Sequence, residues 1–519
     1  MARMTASAIF CACALTMTPV LSQPVFAASE ATEAATSQSA VPAEEASTTE
    51  HSVRINGDSF DYKATAGNLV IKDDKGDPSA SVFYVAYTVP SDDDEPRPVT
   101  FLFNGGPGSA SLWLHMGSFG PVRVATENAA PTPPPPYELK QNPYSLLNKT
   151  DLVFIDAFGT GFSRGLAQEG DDKGKNPSSK FWGVDQDVDG FARFITRYVT
   201  VNQRWNSPKF LLGESYGTVR APALVNHLQD QGMGFNGVIL VSSILNYGAD
   251  APGLDREYVG LLPTFAATAW YHNQLPQKPE QLAGFLDEVR QFAEGDYAQA
   301  LAQGHNLPAE QQRQIAERVH QYTGLSVDYL VNANLRVDQS HFRKELMRDS
   351  DTTLGRFDTR YMGLDKDAIG ARPDSDPSDT AASSAFISTF NNYLTGQLDY
   401  HADRPYQVFS RDAIMTWDWS HQVPGSGWPV QMPYVVDDLG NAMRTNPGLK
   451  VFSANGYYDL ATPFHATEYD LAHMQLQPQL QKNVQIEYYP SGHMIYLNEK
   501  ALVDLHKDLE QFYDNAVSY

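Results

Sequence analysis

The chain of 519 residues is poor in cysteine, in basic side chains and in long apolar runs. It has two cysteines, Cys11 and Cys13, and its 38 Lys and Arg stand against 62 Asp and Glu, which leaves a formal charge of −24. No apolar run approaches the roughly 20 residues that a membrane-spanning helix needs. Because nucleic acids and anionic membranes bind basic surfaces, this charge argues against both as partners.

Both cysteines lie in an N-terminal segment with the pattern of a secretory signal peptide. Arg3 gives a weakly basic start, residues 8–15 are apolar, and residues 25–27 read Val-Phe-Ala, a small-x-small cleavage signal. We therefore expect residues 1–27 to be removed and the protein to be secreted or periplasmic. A membrane anchor is disfavoured because the apolar run is too short. Cleavage after residue 27 leaves a chain with no cysteine and hence no disulfide.

The rest of the composition indicates a packed globular protein with a polar leader. Hydrophobic residues make up 42% and aromatic residues 11% of the sequence, which is enough for a large core. Residues 28–50, in contrast, are mostly Ala, Ser, Thr and Glu. So little apolar surface cannot offset the entropy of ordering the chain, and we expect a flexible leader there.

The strand patterns predict an α/β fold. Residues 52–89 alternate apolar and polar positions between turn signals, which indicates antiparallel strands. Continuous apolar strands then alternate with helical stretches, and this arrangement predicts a central mixed sheet covered by helices on both faces. These buried-type strands are residues 99–103, 152–155, 210–212, 238–241 and 450–452.

The strand signal is interrupted over a long stretch. Between residues 246 and 446 amphipathic helical patterns dominate. We interpret this stretch as a large helical insertion, or cap. It divides the α/β core into residues 51–245 and residues 447–519.

A candidate nucleophile lies at the end of one predicted strand. Gly213-Glu214-Ser215-Tyr216-Gly217 follows the strand at 210–212 and precedes a helical pattern at 218–229. A tight strand-to-helix turn with this Gly-x-Ser-x-Gly pattern projects the serine out of the sheet, and its glycines permit the close backbone approach. Ser215 is therefore predicted to be a nucleophile.

A nucleophilic serine needs a base and a group that orients the base. In the α/β-hydrolase fold these follow in the chain order Ser, Asp, His. Asp459 comes soon after the strand at 450–452, and His493 follows a further strand pattern at 484–489. The sequence thus predicts an α/β-hydrolase fold with a triad of Ser215, Asp459 and His493.

A glycine-rich stretch supplies candidate donors for an oxyanion. Asn104-Gly105-Gly106-Pro107-Gly108 follows the strand at 99–103 and has the composition of a backbone nest. The N–H groups of Gly106 and Tyr216 would form the oxyanion hole, in which one donor is typically worth about 2.7–4 kcal/mol.

The sequence predicts neither a metal nor a cofactor. There is no His-Glu-x-x-His or comparable zinc spacing. The glycines at 232, 234 and 237 fit a dinucleotide pattern, but they follow a helix and precede a strand, which is the reverse of the required context.

Four motifs in order resemble the serine carboxypeptidases, peptidase family S10. They cover the core at about residues 95–245 and 445–519, and the resemblance implies release of single residues from the C-termini of peptides through an acyl-enzyme. The motifs are Asn104-Gly105-Gly106-Pro107-Gly108 with Gly120-Pro121 downstream, Asp156 with Gly159-Thr160-Gly161-Phe162-Ser163, Gly213-Glu214-Ser215-Tyr216-Gly217, and Gly492-His493-Met494.

The resemblance also implies roles for residues beside the triad. Glu214 and Asn104 would hold the terminal carboxylate of the substrate, with Gly105 in the same substrate-binding set, and Met494 would line the pocket of the leaving residue. Two carboxylates in contact cannot both stay ionised, so a grip by Glu214 requires a proton on one of them.

The sequence departs from the family at informative positions. A second glutamate expected just before the Gly-Pro pair is replaced by Ser118, so we predict a weaker preference for a free carboxylate, or a pH optimum nearer neutral, than in eukaryotic relatives. Ser109 and Thr462 stand where the family often has cysteine. Together with the cysteine-free exported chain, they favour a bacterial member.

Two alternative functions stay open at this point. An esterase or acyltransferase could use the same triad without any grip on a carboxylate. A non-catalytic binding protein could share the fold, although such a protein would be expected to have a broken triad. The oligomeric state is not predicted by the sequence.

Overall fold

A computed structural model describes residues 41–90, 96–172 and 174–518. The predicted signal peptide, with Cys11 and Cys13, lies outside the described residues, as does the predicted leader up to residue 40. Among the helices of the described residues, none combines the length and apolar content that a membrane span requires.

The strands, numbered in chain order, are β1 Ala46–Ile55, β2 Asp58–Lys72, β3 Pro78–Thr88, β4 Val99–Phe103, β5 Val122–Val124, β6 Leu139–Gln141, β7 Asp151–Ile155, β8 Arg164–Gly165, β9 Lys209–Ser215, β10 Gly237–Ser243, β11 Thr352–Leu354, β12 Met362–Leu364, β13 Lys450–Gly456 and β14 Val484–Tyr489. Ten of them form one sheet in the order β1-β2-β3-β7-β4-β9-β10-β13-β14, with β8 paired to β3. Strands β1 to β3 pair antiparallel, and the six from β7 to β14 in this order are parallel to one another. The sheet is therefore mixed, as predicted.

The first strand corrects the predicted extent of the flexible leader. Residues 46–50, which belong to the polar segment 28–50, form the first half of β1. Each of these residues pairs with a residue of β2. Only the second half of β1 buries apolar side chains, at Val53 and Ile55. The polar half is ordered by backbone hydrogen bonds to β2, and composition carries no signal of that pairing.

The helices are α1 Leu112–Leu114, α2 Val184–Val201, α3 Gly217–Asp230, α4 Arg256–Tyr271, α5 Leu282–Phe292, α6 Ala298–Gln303, α7 Ala309–Thr323, α8 Val327–Asn332, α9 Gln339–Glu345, α10 Pro377–Gly396, α11 Arg411–Thr416, α12 Val436–Thr445, α13 Phe464–Ala472, α14 Pro478–Gln481 and α15 Glu499–Val517. Two five-residue π-helical turns, His115–Phe119 and Ala293–Tyr297, continue α1 and α5. Most of these helices cover the sheet or lie in the segment between β10 and β13.

The two faces of the sheet carry separate apolar layers. Along β4, Phe101 and Phe103 pack with α2, α3 and α12, whereas Leu102 packs with α10 and α15 on the opposite face. Successive side chains of a strand point to opposite faces, so a strand covered on both sides is mainly apolar. This explains the continuous apolar pattern from which the strand was predicted. The polar residue of β4, Thr100, is buried with its hydroxyl hydrogen-bonded to Thr150 and Tyr513.

The segment between β10 and β13 forms a third apolar cluster built mainly on α4, α5 and α7. It also contains the short hairpin of β11 and β12, which has no counterpart in the sequence-based prediction. Leu460 and Phe464, which follow β13, pack into this cluster. The helical segment is thereby joined to the loop that carries Asp459.

A buried ion pair connects the two helices that flank the predicted nucleophile. Arg220 of α3 donates from Nε to Asp187 Oδ2 of α2 over 2.6 Å, and both side chains are buried. Its Nη1 donates to the backbone oxygen of Asn104 over 2.9 Å, and the guanidinium lies 4.2 Å from the ring centre of Phe191. One side chain therefore links α2, α3 and the loop after β4.

We predict that Arg220→Met lowers the free energy of unfolding by about 3–5 kcal/mol, because it leaves the Asp187 carboxylate buried without its partner. Denaturant unfolding followed by circular dichroism measures the change. Arg313→Met is the matched control, since that side chain is half exposed and pairs only at the surface. A loss no larger than in the control would contradict the prediction, and adding Asp187→Leu should recover part of it.

Candidate active site

The predicted nucleophile lies on a sharp turn at the edge of the sheet. Strand β9 ends at Ser215 and α3 begins at Gly217. Ser215 has a φ of 60°, in the left-handed region that a residue with a side chain adopts only under strain. A Cβ on Gly213 would lie 2.1 Å from the Gly217 oxygen, so this turn needs its glycine. Ser215 thus lies on a tight strand-to-helix turn of the kind that the Gly-x-Ser-x-Gly pattern predicts.

The other two predicted triad residues lie at the same edge. His493 Nδ1 is 2.7 Å from Asp459 Oδ2, and both side chains are buried. With Nδ1 donating to the carboxylate, Nε2 is left as the nitrogen that can accept a proton. His493 and Ser215 line one cavity of about 230 Å³. The structure therefore brings all three residues together at one site.

The Asp459 carboxylate is held by its own loop. Oδ1 accepts the N–H groups of Ala461 and Thr462 at 2.7 and 3.0 Å, and Oδ2 accepts the Thr462 hydroxyl at 2.6 Å. Burial lowers the pKa of His493, but the charge and the hydrogen bond of Asp459 outweigh this effect, so the pKa lies above its ordinary value. The carboxylate is positioned to orient the imidazole and to stabilise its protonated form.

The loop after β4 lies directly against the turn that carries the serine. A Cβ on Gly105 would lie 2.3 Å from the backbone nitrogen of Tyr216, and Gly106 has a φ of 108°, which favours glycine. Both glycines line the cavity beside Ser215. The two predicted oxyanion donors thus come from segments whose backbones are in contact.

Asn104 and Glu214 form a buried hydrogen-bonded pair beside Ser215. Asn104 Nδ2 donates to Glu214 Oε1 over 2.8 Å, and Asn104 Oδ1 accepts the Leu114 N–H, which sets the orientation of the amide. Burial raises the pKa of Glu214 to about 7, and the nearby Asp459 adds to the rise while His493 opposes it. Among the described residues, Glu214 Oε2 has no hydrogen-bond partner. A carboxyl of this kind is largely protonated below neutral pH.

Ser118 does not reach the cavity. It lies in the π-helical turn after α1, is fully buried, and donates its hydroxyl hydrogen to the Leu114 oxygen over 2.6 Å. Residues with carboxyl groups line the cavity, Glu214 and Asp379 among them, but none of these residues belongs to the π-helical turn that contains Ser118. Among the described residues, Glu214 therefore faces the Asn104 amide and the Tyr496 hydroxyl, and no second carboxyl comes from this turn.

The two positions where the family often has cysteine carry hydrogen-bonding side chains. The Ser109 hydroxyl accepts Trp113 Nε1–H over 3.1 Å, and the Thr462 hydroxyl donates to Asp459. Met494, predicted to lie beside the leaving residue, lines the cavity, as do Trp113 and Phe409. Those two aromatic rings pack against each other at 5.7 Å and were not predicted.

A further group of cavity residues was also missed. Tyr247 and Asp250 follow β10, Gln339 begins α9, and Arg356 lies between β11 and β12. They carry no motif, and Gln339 and Arg356 are more than 100 residues away from each member of the triad in the sequence. No periodicity or spacing could have identified them.

Comparisons with known proteins match part of this chain. Residues 56–249 match the family model described as serine carboxypeptidase. The pheromone-processing carboxypeptidase KEX1 of Saccharomyces cerevisiae is 33% identical over 141 residues, which are 25% of this chain and 17% of the yeast protein. The serine carboxypeptidase ctsa-3.2 of Caenorhabditis elegans is 28% identical over 152 residues, 28% of this chain and 27% of the nematode protein.

The matched segments support the serine carboxypeptidase family, and they span less than a third of the length of these relatives. Among solved structures, the crystal structure of KEX1Δp from Saccharomyces cerevisiae superimposes with a TM-score of 0.53 over 87% of this chain and 91% of that chain, at 15% identity. The chain thus has the α/β-hydrolase fold that was predicted from its motifs.

We predict that Gly105→Ala slows the labelling of Ser215 by a fluorophosphonate about 10²–10³-fold, the range for loss of an oxyanion donor. The added methyl group would lie within 3 Å of the Tyr216 and Gly217 nitrogens and must push the two segments apart. Gly234→Ala is the control, because nothing lies within 4 Å of a Cβ at that exposed position. Labelling of a folded Gly105→Ala sample at the wild-type rate would rule out this account.

Proposed function

We propose that the protein is a serine carboxypeptidase that releases C-terminal residues from peptides through an acyl-enzyme on Ser215. The observation that carries the proposal is the buried Asn104–Glu214 pair, which lies in the same cavity as Ser215 and His493. An esterase needs the nucleophile and the base but has no use for a protonated carboxyl beside them.

In the proposed mechanism, Ser215 Oγ attacks the carbonyl carbon of the last peptide bond while His493 Nε2 takes the hydroxyl proton. Asp459 holds the imidazole and stabilises its positive charge. The N–H groups of Gly106 and Tyr216 bind the oxyanion. His493 then protonates the leaving amine, and the C–N bond breaks. A water molecule, deprotonated by His493, hydrolyses the acyl-enzyme and restores Ser215.

The Asn104–Glu214 pair supports recognition of the substrate's terminal carboxylate. A protonated Glu214 can donate one hydrogen bond to the carboxylate, and an ionised Glu214 would repel it. Because the pKa of Glu214 is about 7, the donor form predominates up to neutral pH. A single carboxyl with this pKa supports one of the two expectations drawn from Ser118, a pH optimum nearer neutral than in eukaryotic relatives.

The location of the protein is also part of the proposal. The pattern of residues 1–27 supports export and cleavage of that segment, and the substrates would then be peptides outside the cytoplasm. Mass spectrometry of the N-terminus of exported protein tests this point, and a retained residue 1 would contradict it.

We predict that Ser215→Ala lowers kcat on a blocked dipeptide by roughly 10⁴–10⁶ and abolishes fluorophosphonate labelling, since the nucleophile is removed. The melting temperature should not fall, because alanine removes a single hydroxyl group from a strained turn. If Ser215→Ala lost both its activity and its cooperative thermal unfolding, the result would indicate a structural role for Ser215. Full activity would end the acyl-enzyme proposal.

We further predict that the rate ratio of a blocked dipeptide to its C-terminal amide falls at least about tenfold between pH 6 and pH 8. Ionisation of Glu214 through a pKa near 7 removes the donor for the carboxylate and adds a like charge. The amide carries no charge, so division by its rate cancels the titration of His493.

Glu214→Gln should make that ratio independent of pH, because glutamine is neutral throughout. Glu310→Gln, at an exposed position of α7, is the control and should keep the wild-type profile. Equal rates on the acid and the amide at every pH would favour an esterase or acyltransferase. Hydrolysis of neither, without labelling of Ser215, would favour a binding protein.

A further inference from the structure

A cationic side chain, Arg356, lines the cavity. Its guanidinium lies 5.5 Å from the centre of the Phe357 ring and has few polar partners among the described residues. Arg356 Nε donates to Gln339 Oε1 over 3.0 Å. In the described residues, its Nη1 and Nη2 make neither a hydrogen bond nor an ion pair within 4.0 Å. A guanidinium has five N–H donors, so four of them are available to a ligand in this cavity.

The position of Arg356 is fixed by the backbone around it. Its N–H donates to the Asp376 carboxylate at 3.0 Å, and its oxygen accepts the N–H of Leu460, the residue after Asp459. The oxygen of the next residue, Phe357, accepts the His493 N–H, and the Phe357 ring packs against the imidazole. Arg356 is thus attached to the same framework as the reacting groups.

The sheet order places Arg356 on one particular side of Ser215. Ser215 ends β9, whose neighbours in the sheet are β4 and β10. The Asn104–Glu214 pair is reached from the β4 side. Tyr247 and Asp250 follow β10, and Ala461 follows β13, which lies beyond β10. Arg356 is connected to this second group by its hydrogen bonds with Gln339 and Leu460.

A peptide bound for cleavage at Ser215 must therefore extend to both sides of the serine. Its last residue, with the terminal carboxylate, lies on the β4 side beside Asn104 and Glu214. The residue that contributes the scissile carbonyl, here called the penultimate residue, then lies on the β10 and β13 side. In this arrangement its side chain would face the wall that contains Arg356.

The charges around Arg356 do not neutralise it by direct pairing. Asp250 is the carboxylate on the same wall, and Asp379 and Glu214 lie elsewhere in the cavity. Partial desolvation raises the pKa of Asp250, and Arg356 opposes that rise, which shows that the two groups interact. No ion pair within 4.0 Å joins them, however, so the guanidinium is free for a second carboxylate.

We propose that Arg356 binds an acidic side chain of the penultimate substrate residue and so makes the protein selective for Glu or Asp at that position. This inference rests on the carboxypeptidase function proposed above and adds to it a class of substrate. Gln339 acts as a positioning residue, because its side chain holds Nε and leaves the two terminal nitrogens without a partner among the described residues.

The test compares two blocked dipeptides that share the same C-terminal residue and differ only in Glu or Gln at the penultimate position. The wild-type protein should hydrolyse the Glu peptide with a kcat/KM about tenfold or more above that of the Gln peptide, the factor expected for a charge-assisted hydrogen bond. Glu and Gln have nearly the same shape, so the ratio reports charge alone.

Three variants refine the test. Arg356→Met should bring the Glu-to-Gln ratio close to one, and Arg356→Glu should reverse it, so that the Gln peptide is hydrolysed faster than the Glu peptide. Arg313→Met, a half-exposed surface arginine, should keep the wild-type ratio. Each ratio is taken within one variant, so a partial loss of folded protein cancels.

The outcomes separate this inference from the function on which it rests. Equal hydrolysis of the Glu and Gln peptides by the wild-type protein overturns the inference and leaves the carboxypeptidase function intact. An unchanged Glu-to-Gln ratio in Arg356→Met also overturns it, whether or not both rates fall, since the selectivity then does not come from Arg356. Hydrolysis of neither peptide by the wild-type protein overturns the function and the inference together.

Discussion

The active-site architecture depends on the buried guanidinium of Arg220. It holds α2 through Asp187, and it holds the loop after β4 through the backbone oxygen of Asn104. Asn104 in turn orients Glu214 through its side-chain amide. Arg220 Nη2 and Asp187 Oδ1 have no hydrogen-bond partner among the described residues, so a shift of the loop would leave this buried charge with still fewer partners. One ion pair behind the serine turn therefore holds both the loop after β4 and, through Asn104, the carboxyl that lies beside Ser215.

The single carboxyl of Glu214 is kept protonated in a different way from a pair of glutamates. Two adjacent carboxyls can share a proton, because the charge of the ionised carboxyl raises the pKa of its neighbour. Here Ser118 is turned to the Leu114 oxygen, and burial supplies the rise in the Glu214 pKa instead. Glu214 and His493 also influence each other's pKa, because the charge of each acts on the other group. In the proposed mechanism, the working range of pH is bounded by protonation of the imidazole below and by ionisation of the carboxyl above.

Sequence reasoning identified what is encoded locally and missed what is assembled from distant segments. Ser215, Asp459 and His493 follow predicted strands, and the carboxyl ends of parallel strands meet at one edge of a sheet, so their proximity could be predicted. Residues 46–50 look like a flexible leader because pairing with β2 orders them without any apolar contribution. Arg356 reaches the cavity through a hairpin inside the helical segment, and its environment comes from α9 and the loop after β13. Contacts of this range leave no pattern in the chain.

The overall charge of the protein indicates where selectivity for acidic substrates would have to arise. A formal charge of −24 repels an acidic peptide during its approach, so long-range attraction cannot favour it. Salt weakens this repulsion, because the screening length is about 10 Å at 0.1 M, but it weakens a desolvated contact inside the cavity much less. A preference for Glu over Gln that is kept or increased at higher salt must therefore come from the bound complex. Arg356, the cation whose terminal nitrogens are left unpaired in that cavity among the described residues, is the group able to supply it.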